Sequence, residues 1–366
     1  AMNLLSTGVQ NTAVGALCLD ANTTGSGNTG VGYTSLGLNT TGDNNTSVGY
    51  LSLDENTTGA SNTACGRASL GSNTTGDANT AVGINALANN TTADNNTAVG
   101  GSALVLNTTG TSNTAVGSSS LLANTTGTGN VAVGANAGDA ITTGARNTCV
   151  GINAGGAITT STENTCIGSN AGNELTSGNY NTCVGNNSGN DITNGFHNVA
   201  IGHSTDTNNV DRSITIGSDL QSKGTDYITL GRDAVGKVYN QYSQNASWAR
   251  DSDERLKKDI NTNADCGLGF INDLRTVTYK WKAPSEVPID MPSYDKDNST
   301  PSHDKKMYGF IAQEVKAALD KHNITDFNGW TCPDDGVQGV SYEMFIMPLV
   351  KAVQELSAEV TALKAA

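Results

Sequence analysis

The sequence is short of positive charge. It has 20 Lys and Arg residues against 34 Asp and Glu residues, which gives a formal net charge of −14 over 366 residues. A surface that binds nucleic acid or an anionic membrane needs a basic patch. Long apolar runs are missing too, and none approaches the roughly 20 residues of a membrane-spanning helix. We therefore predict no nucleic-acid partner and no membrane insertion.

Proline and tryptophan are missing from the first two thirds of the chain. All six prolines lie between Pro284 and Pro348, and the three tryptophans begin at Trp248. Residues 1–246 are instead low in charge and rich in Gly, Asn and Thr, whereas residues 247–366 have the composition of an ordinary globular domain. The shift predicts two parts of different architecture.

Cysteine pairs and histidine clusters at metal-binding spacing are also missing. The chain has 7 Cys and 4 His but no CxxC pair, so we predict no metal site and no cofactor. Cys149, Cys166 and Cys183 recur 17 residues apart in place of an alanine, and Cys65 replaces a valine. We interpret all four as small buried hydrophobic residues.

What the sequence does contain is a period of 17 residues. The string Asn-Thr-Ala-Val-Gly returns twelve times without an insertion, from Asn11 to Gly202. A strict period is typical of a solenoid, in which each repeat is one turn stacked on the last. We predict a β-solenoid over residues 1–231 and a linker over 232–251. Its Thr and Val side chains are expected to face inward, and its Asn side chains to form an amide ladder.

The repeat exists in two kinds. In the first seven turns a leucine lies four residues after the glycine and an asparagine three residues later, as in Leu121 and Asn124. In the next four turns glycine replaces the leucine and Ile or Leu replaces the asparagine, first at Gly138 and Ile141. One large apolar group per turn is kept, which predicts a core of constant volume. Beyond Gly202 the glycine spacing shortens to 15 and then 14 residues, which predicts tighter closing turns.

Each turn offers little apolar area for 17 ordered residues, so an isolated solenoid is only marginally stable. We expect it to pack against copies of itself. The repeat string resembles the head repeats of trimeric autotransporter adhesins and the repeat regions of phage and algal-virus fibre proteins. This resemblance implies a left-handed β-roll that is stable as a trimer. The family's turn is shorter than 17 residues, so its interface positions do not carry over.

A second string, SDERLKKDI, begins at Ser252. A bare Ser/Lys pair has no meaning by itself, because Ser252 or Asp253 could equally cap a helix. Further on come GFIAQEV at 309–315 and PLVKAVQEL at 348–356. The succession closely resembles the intramolecular chaperone domain of phage endosialidases, tailspikes and neck-appendage proteins. We assign residues 252–366 to such a domain.

The resemblance implies that the chain cuts itself after assembly as a trimer. It maps the scissile bond to Asp251–Ser252, the nucleophile to Ser252 and the base to Lys257. Attack by Ser252 on the carbonyl before it is intramolecular, which gives a high effective molarity. A lysine acts as a base only when it is neutral, which requires that desolvation or a neighbouring cation lower its pKa. Arg255 and Lys258 are such neighbours in sequence. The reaction would occur once per chain, in the same chain or across the trimer, with no external substrate.

The C-terminal part reads as mixed α/β, with helices near 267–274 and 310–321 and strands near 276–282 and 338–342. Apolar residues then recur at steps of three and four, which predicts a coiled coil over about 346–364: Ile346, Leu349, Val353, Leu356, Val360 and Leu363. β-branched residues at the first position favour a dimer, whereas the family resemblance implies a trimer. Pro348 is expected in the first helical turn or at a kink.

Together these features predict a homotrimeric virion tail fibre or tailspike, mainly β and assembled in the host cytoplasm. Other virion tail proteins and a host surface glycan or protein are the candidate partners. The alternatives are a bacterial trimeric surface adhesin and an ice- or glycan-binding solenoid. The Asn-Thr-Thr strings also fit glycosylation acceptors, and the Thr24 column resembles the threonine ladders of ice-binding solenoids. A hydrolytic tailspike is disfavoured, because the array offers no converging carboxylates.

Overall fold

The computed structural model describes residues 2–4, 6–233, 236–242, 249–250, 258, 260–289, 291, 293–301, 305–332 and 336–366, with the main chain alone at 249–250. The chain divides into two units, Ala1–Leu256 and Lys257–Ala366. Among the described residues, no helix is long and apolar enough to cross a membrane.

The first unit is a 13-turn β-solenoid of about 17 residues per turn, which confirms the predicted mainly β fold. Its parallel strands pair in register, so that Thr12 lies beside Thr29 and Val14 beside Val31. They are β1 (Thr12–Val14), β2 (Thr29–Val31), β3 (Thr46–Val48), β4 (Thr63–Cys65), β5 (Thr80–Val82), β6 (Thr97–Val99), β7 (Thr114–Val116), β8 (Val131–Val133), β9 (Thr148–Val150), β10 (Thr165–Ile167), β11 (Thr182–Val184) and β12 (Val199–Ile201).

The closing turns continue the same sheet. The short strands β13 (Thr205–Asp206) and β15 (Leu220–Gln221) pair with each other, while β14 (Ile214–Gly217) and β16 (Tyr227–Arg232) extend the stack in parallel. The tighter turns predicted from the glycine spacing are therefore confirmed. Two further strands, β17 (Gly236–Gln241) and β18 (Ala249–Arg250), then add to the sheet in antiparallel orientation. They lie in the stretch that the sequence assigned to a linker.

The strands are short because sharp corners follow them. In one representative turn Gly49 has a φ of 149°, and Leu51 and Leu53 have φ values of 56° and 48°. A side chain at Gly49 would overlap the carbonyl oxygen of Gly66 in the next turn. Glycine is thus required at the end of each string, where the backbones of stacked turns approach most closely.

The prediction that Thr and Val face inward is wrong. In β5 the middle residue Ala81 is fully buried, whereas Thr80 is half-buried and Val82 is 37% exposed. The interior of a turn also has to hold Leu87, so little room remains for a second branched side chain. Cys149, Cys166 and Cys183 occupy the alanine position and are buried as predicted, but Cys65 occupies the valine position and is exposed.

Two asparagine columns run through the interior. In the first, Asn28 Oδ1 accepts a bond from the main-chain N–H of Asn45 at 2.9 Å, while Asn28 Nδ2 donates to the carbonyl of Gly42 at 2.8 Å. The predicted ladder is therefore present. Its steps join a side chain to the backbone of the next turn, and at five of them the amides also bond directly, as from Asn79 Nδ2 to Asn62 Oδ1 at 3.2 Å. In the second column, Asn39 Nδ2 donates directly to Asn22 Oδ1 at 2.8 Å. These bonds satisfy amides that would otherwise be costly to bury.

In the two kinds of turn, one large apolar side chain fills the same part of the interior. Leu121 and Ile141 are both fully buried although they are attached at different positions of the turn. A Cβ atom at Gly138 would lie only 2.9 Å from Ile141 Cδ1 and 3.3 Å from Leu121 Cδ2. The isoleucine thus fills the space that a leucine at the glycine position would occupy, which confirms the prediction of constant core volume.

The second unit is small and mixed. It contains α1 (Leu268–Asn272), β19 (Val277–Tyr279), β20 (Met307–Gly309), α2 (Ala312–Lys321), β21 (Trp330–Thr331), β22 (Gly339–Val340) and α3 (Ile346–Ala365), with 3-10 turns at Pro284–Glu286 and Tyr342–Phe345. The strands β19 and β20 pair antiparallel, as do β21 and β22. Phe270, Val315, Leu319 and Phe345 form the buried core. Pro348 lies in the first turn of α3, as predicted.

Candidate functional site

The residues predicted to carry out cleavage fall, along the sequence, where the first unit ends and the second begins. Asp251, Ser252, Arg255 and Lys257 fall outside the described residues, so their predicted roles stay predictions. Lys258 is described and its side chain is exposed.

The first element of the second unit is held by a carboxylate on its last helix. The N–H of Leu268, at the start of α1, donates to Glu355 Oε2 on α3 at 2.6 Å. This bond, aided by Lys351 Nζ at 3.3 Å from Oε1, holds the pKa of Glu355 below its usual value. A side chain at Gly267 would overlap the same carboxylate. The contact thus fixes the start of α1 on α3, a few residues beyond the predicted cleavage string.

A second charged cluster joins the end of α1 to α2. Asp273 accepts bonds from Lys321 Nζ at 2.7 Å and from His322 Nε2 at 2.6 Å. Lys321 and then His322 lower the pKa of Asp273. Nearby, Arg275 forms an ion pair with Glu314. All of these groups pair with one another, so they tie the unit together and offer no nucleophile.

The GFIAQEV string forms the turn from β20 into α2. A side chain at Gly309 would overlap the hydroxyl of Tyr342, and the same oxygen accepts a bond from the N–H of Phe310 at 3.2 Å. Phe310 stacks on Tyr342 with ring centroids 5.8 Å apart. Part of this string is therefore used for packing, and its glycine lets Tyr342 approach the main chain.

The helix α3 has two apolar faces. Pro348 and Ala352 are buried, and α3 packs against α1. The other face carries the residues of the predicted coiled coil, which are between 41% and 77% exposed in the single chain: Ile346, Leu349, Val353, Leu356, Val360 and Leu363. An uncovered apolar seam of this length is typical of a helix that has a partner.

The solenoid offers no comparable chemistry. No group of His, Cys, Asp and Glu within the described ranges is placed to hold a metal ion. The asparagines of the Asn-Thr-Thr strings, such as Asn22 and Asn39, are fully buried and hydrogen-bonded. They are inaccessible for glycan attachment in the folded chain. The Thr and Val columns of the strands form an outer face, which was not predicted from the sequence.

The fold and the site together describe a β-solenoid followed by a small mixed domain whose last helix carries an exposed apolar seam. Residues 252–324 match the family described as the chaperone of endosialidase. The match starts at the predicted nucleophile and spans about one fifth of the chain, and the family is a self-cleaving intramolecular chaperone. No curated protein and no solved structure was found to match the chain.

Proposed function

We propose that the protein is a structural tail fibre or tailspike component of a virion and acts as a homotrimer. The observation that carries this proposal is the endosialidase-chaperone match directly after a β-solenoid. In this role the solenoid is the permanent part of the fibre. The C-terminal domain brings three chains together, sets them in register and is then removed.

The exposed seam of α3 supports a role in assembly. The 20-residue helix α3 carries six exposed apolar residues at heptad spacing. Burying them against other helices removes apolar area from water, which is favourable. Three copies of α3 would form a short coiled coil. In our proposal, formation of this bundle precedes cleavage.

The proposed cleavage uses Ser252 and Lys257. Neutral Lys257 takes the hydroxyl proton of Ser252, whose Oγ attacks the carbonyl carbon of Asp251. The C–N bond breaks, the proton passes to the amine of Ser252, and an ester remains. Water then hydrolyses the ester, which leaves a new carboxylate at Asp251 and restores the serine hydroxyl. Each chain reacts once.

The proposal is tested by intact-mass analysis of the full chain purified under native conditions. We expect two fragments, residues 1–251 and 252–366. Ser252→Ala and Lys257→Ala should each leave an uncut trimer. Lys280→Ala, which changes an exposed lysine in the same unit, is the matched control and should be cut normally.

Two results would contradict the proposal. If no fragment beginning at Ser252 forms from a native trimer, self-cleavage at this bond is wrong. If either Ser252→Ala or Lys257→Ala is cut at the normal rate, the dyad is wrong even though cleavage occurs. If the full chain is a monomer in solution, the proposed trimer is wrong.

A further inference from the structure

The outer face of the solenoid sheet consists of two uninterrupted columns. They come from the first and third residues of each parallel strand, or the second and fourth in β16 (Tyr227–Arg232), and these residues point to the same side. The first column is Thr12, Thr29, Thr46, Thr63, Thr80, Thr97, Thr114, Val131, Thr148, Thr165, Thr182, Val199, Ile214 and Ile228. The second is Val14, Val31, Val48, Cys65, Val82, Val99, Val116, Val133, Val150, Ile167, Val184, Ile201, Ile216 and Leu230. We call these two columns the Thr/Val face.

The Thr/Val face contains no charged residue over fourteen strands. The neighbouring exposed column, one residue after each glycine, varies freely. It holds Tyr33, Arg67, Ile84, Ser118 and His203 at equivalent places. A position that only meets water tolerates such variation. The uniform Thr/Val face is therefore under a constraint that the column after the glycines does not have.

The fold of a single chain does not supply that constraint. Val82 and Val99 remain 37% and 36% exposed, and the interior is filled by other columns, such as Ala81 and Leu87. β-branched residues suit strands, but Thr and Val satisfy that preference equally in either column. The third-residue column is apolar in all fourteen strands and the first-residue column is Thr in ten of them, an arrangement that strand propensity alone does not explain.

We propose that the Thr/Val face is the surface on which copies of this chain pack against each other along the solenoid. This inference deepens the trimer of the proposed function and rests on it. A charge-free strip of valines and threonines loses no ion solvation when it is covered. It also supplies the apolar area that the thin core of each turn lacks.

The repeat of the face identifies its occupant as a second copy. With strands about 4.8 Å apart, thirteen steps give a strip roughly 60 Å long. A partner that covers the whole strip must repeat at the same interval, and another copy of this solenoid does so. A strip about 10 Å wide gives on the order of 600 Å² per chain, close to the about 800 Å² per partner of a stable interface.

Cys65 provides a natural probe of this face. It is the only cysteine in the two columns, and it is exposed in the single chain. We would treat the native full-length protein with a bulky maleimide and measure the modification of Cys65 by peptide mass spectrometry. The reference is an Ile84→Cys variant in a Cys65→Val background, because Ile84 is 56% exposed and lies just outside the face.

In a trimer of measured mass, we expect Cys65 to react at least about tenfold more slowly than the thiol of Ile84→Cys. The double variant Val82→Glu with Val99→Glu should restore fast labelling of Cys65. The matched pair Ile84→Glu with Ile152→Glu, at two exposed positions outside the face, should leave Cys65 protected.

The outcomes separate the two proposals. If the protein is a trimer and Cys65 reacts as fast as the reference thiol, the Thr/Val face is not the interface and is open to another occupant such as a glycan or ice. The trimer itself would stand in that case. If the protein is a monomer, the proposed trimer fails, and the packing face fails with it.

Discussion

At the scale of the residue, the boundary between the two kinds of turn is the informative place. Asn124 donates to Asn107 Oδ1 at 2.8 Å, but its own Oδ1 is buried and no donor among the described residues reaches it. The reason is that the next turn has Ile141 at the equivalent position. A buried acceptor without a partner costs about 1–3 kcal/mol. In return, Gly138 adopts at no steric cost the positive φ that Leu121 has to adopt with a side chain.

This account predicts compensation between Gly138 and Ile141. Gly138→Leu alone should destabilise the solenoid by about 1–3 kcal/mol, because the new side chain overlaps Ile141. Ile141→Asn alone should cost about 2–4 kcal/mol, because it leaves a cavity. The double variant rebuilds a turn of the first kind. It should recover at least about 1 kcal/mol relative to the sum of the single changes.

The measurement is chemical unfolding of the two single variants and the double variant, followed by circular dichroism. Asn124 Oδ1 gains a donor in the double variant, while the new asparagine becomes the unpaired end of the ladder. The number of unpaired acceptors is therefore unchanged, and the comparison isolates packing. Simple additivity of the two costs would mean that the paired change in the sequence has no packing origin.

At the scale of the element, features that repeat over many residues could be predicted from the sequence, whereas features that a few residues define could not. Twelve copies of one string make the solenoid evident, and the 3-4 spacing makes α3 evident. The direction of the side chains was wrong because a three-residue strand alternates equally well in either sense. Cys65 was wrongly predicted to be buried for the same reason, because it occupies the valine position. The strands β20 and β21, with three and two residues, have no pattern of their own.

The candidate site was proposed for a different reason. The roles of Ser252 and Lys257 stay predictions, and they could be proposed only because the surrounding strings resemble a family, since no spacing rule marks a Ser/Lys dyad. The contact between Glu355 and the N–H of Leu268 could not be predicted, because it joins residues 87 positions apart. Sequence periodicity describes neighbours along a helix or strand, but it does not describe such pairings.

The seam of α3 yields a prediction about assembly. Leu349→Glu with Val353→Glu places two charges on the seam, away from the face that packs on α1. Because charges are not tolerated in the centre of a coiled coil, we expect loss of the trimer and, with it, at least about tenfold slower cleavage. Native mass measurement and a denaturing gel report the two effects.

Ser357→Glu is the control for the seam variant, since Ser357 is exposed on the same helix and is not one of the six seam residues. It should assemble and cut normally. A trimer that survives the two seam charges would show that α3 is not the assembly element. A trimer that is lost while cleavage continues would show that cutting does not wait for assembly.

At the scale of the whole molecule, the uniformity of the Thr/Val face creates a difficulty for assembly. If two chains slip by one turn, every Thr and Val meets an equivalent residue except at the ends. The slip therefore loses about one strand's contacts out of fourteen, and register is only weakly specified by the face. A domain that fixes one end of each chain before the faces close would remove this ambiguity. The proposed chaperone role and the proposed packing face thus explain each other.

Register can be measured through the same cysteine. Chains that carry Cys65 would be co-expressed with chains that carry Cys65→Val and Val82→Cys, and a small diffusible oxidant would be added after assembly. A disulfide then joins only thiols whose Cα atoms lie within about 7 Å of each other. A cross-link between two Cys65 residues reports aligned chains, whereas a cross-link from Cys65 to the thiol of Val82→Cys reports a slip of one turn.

With the full-length chain we expect the aligned product to dominate. With chains that end at residue 251 we expect the slipped product to rise at least severalfold, or the chains to aggregate, because nothing fixes their ends. The same ratio of aligned to slipped products from both constructions would mean that the Thr/Val face sets its own register and that the C-terminal domain serves another purpose.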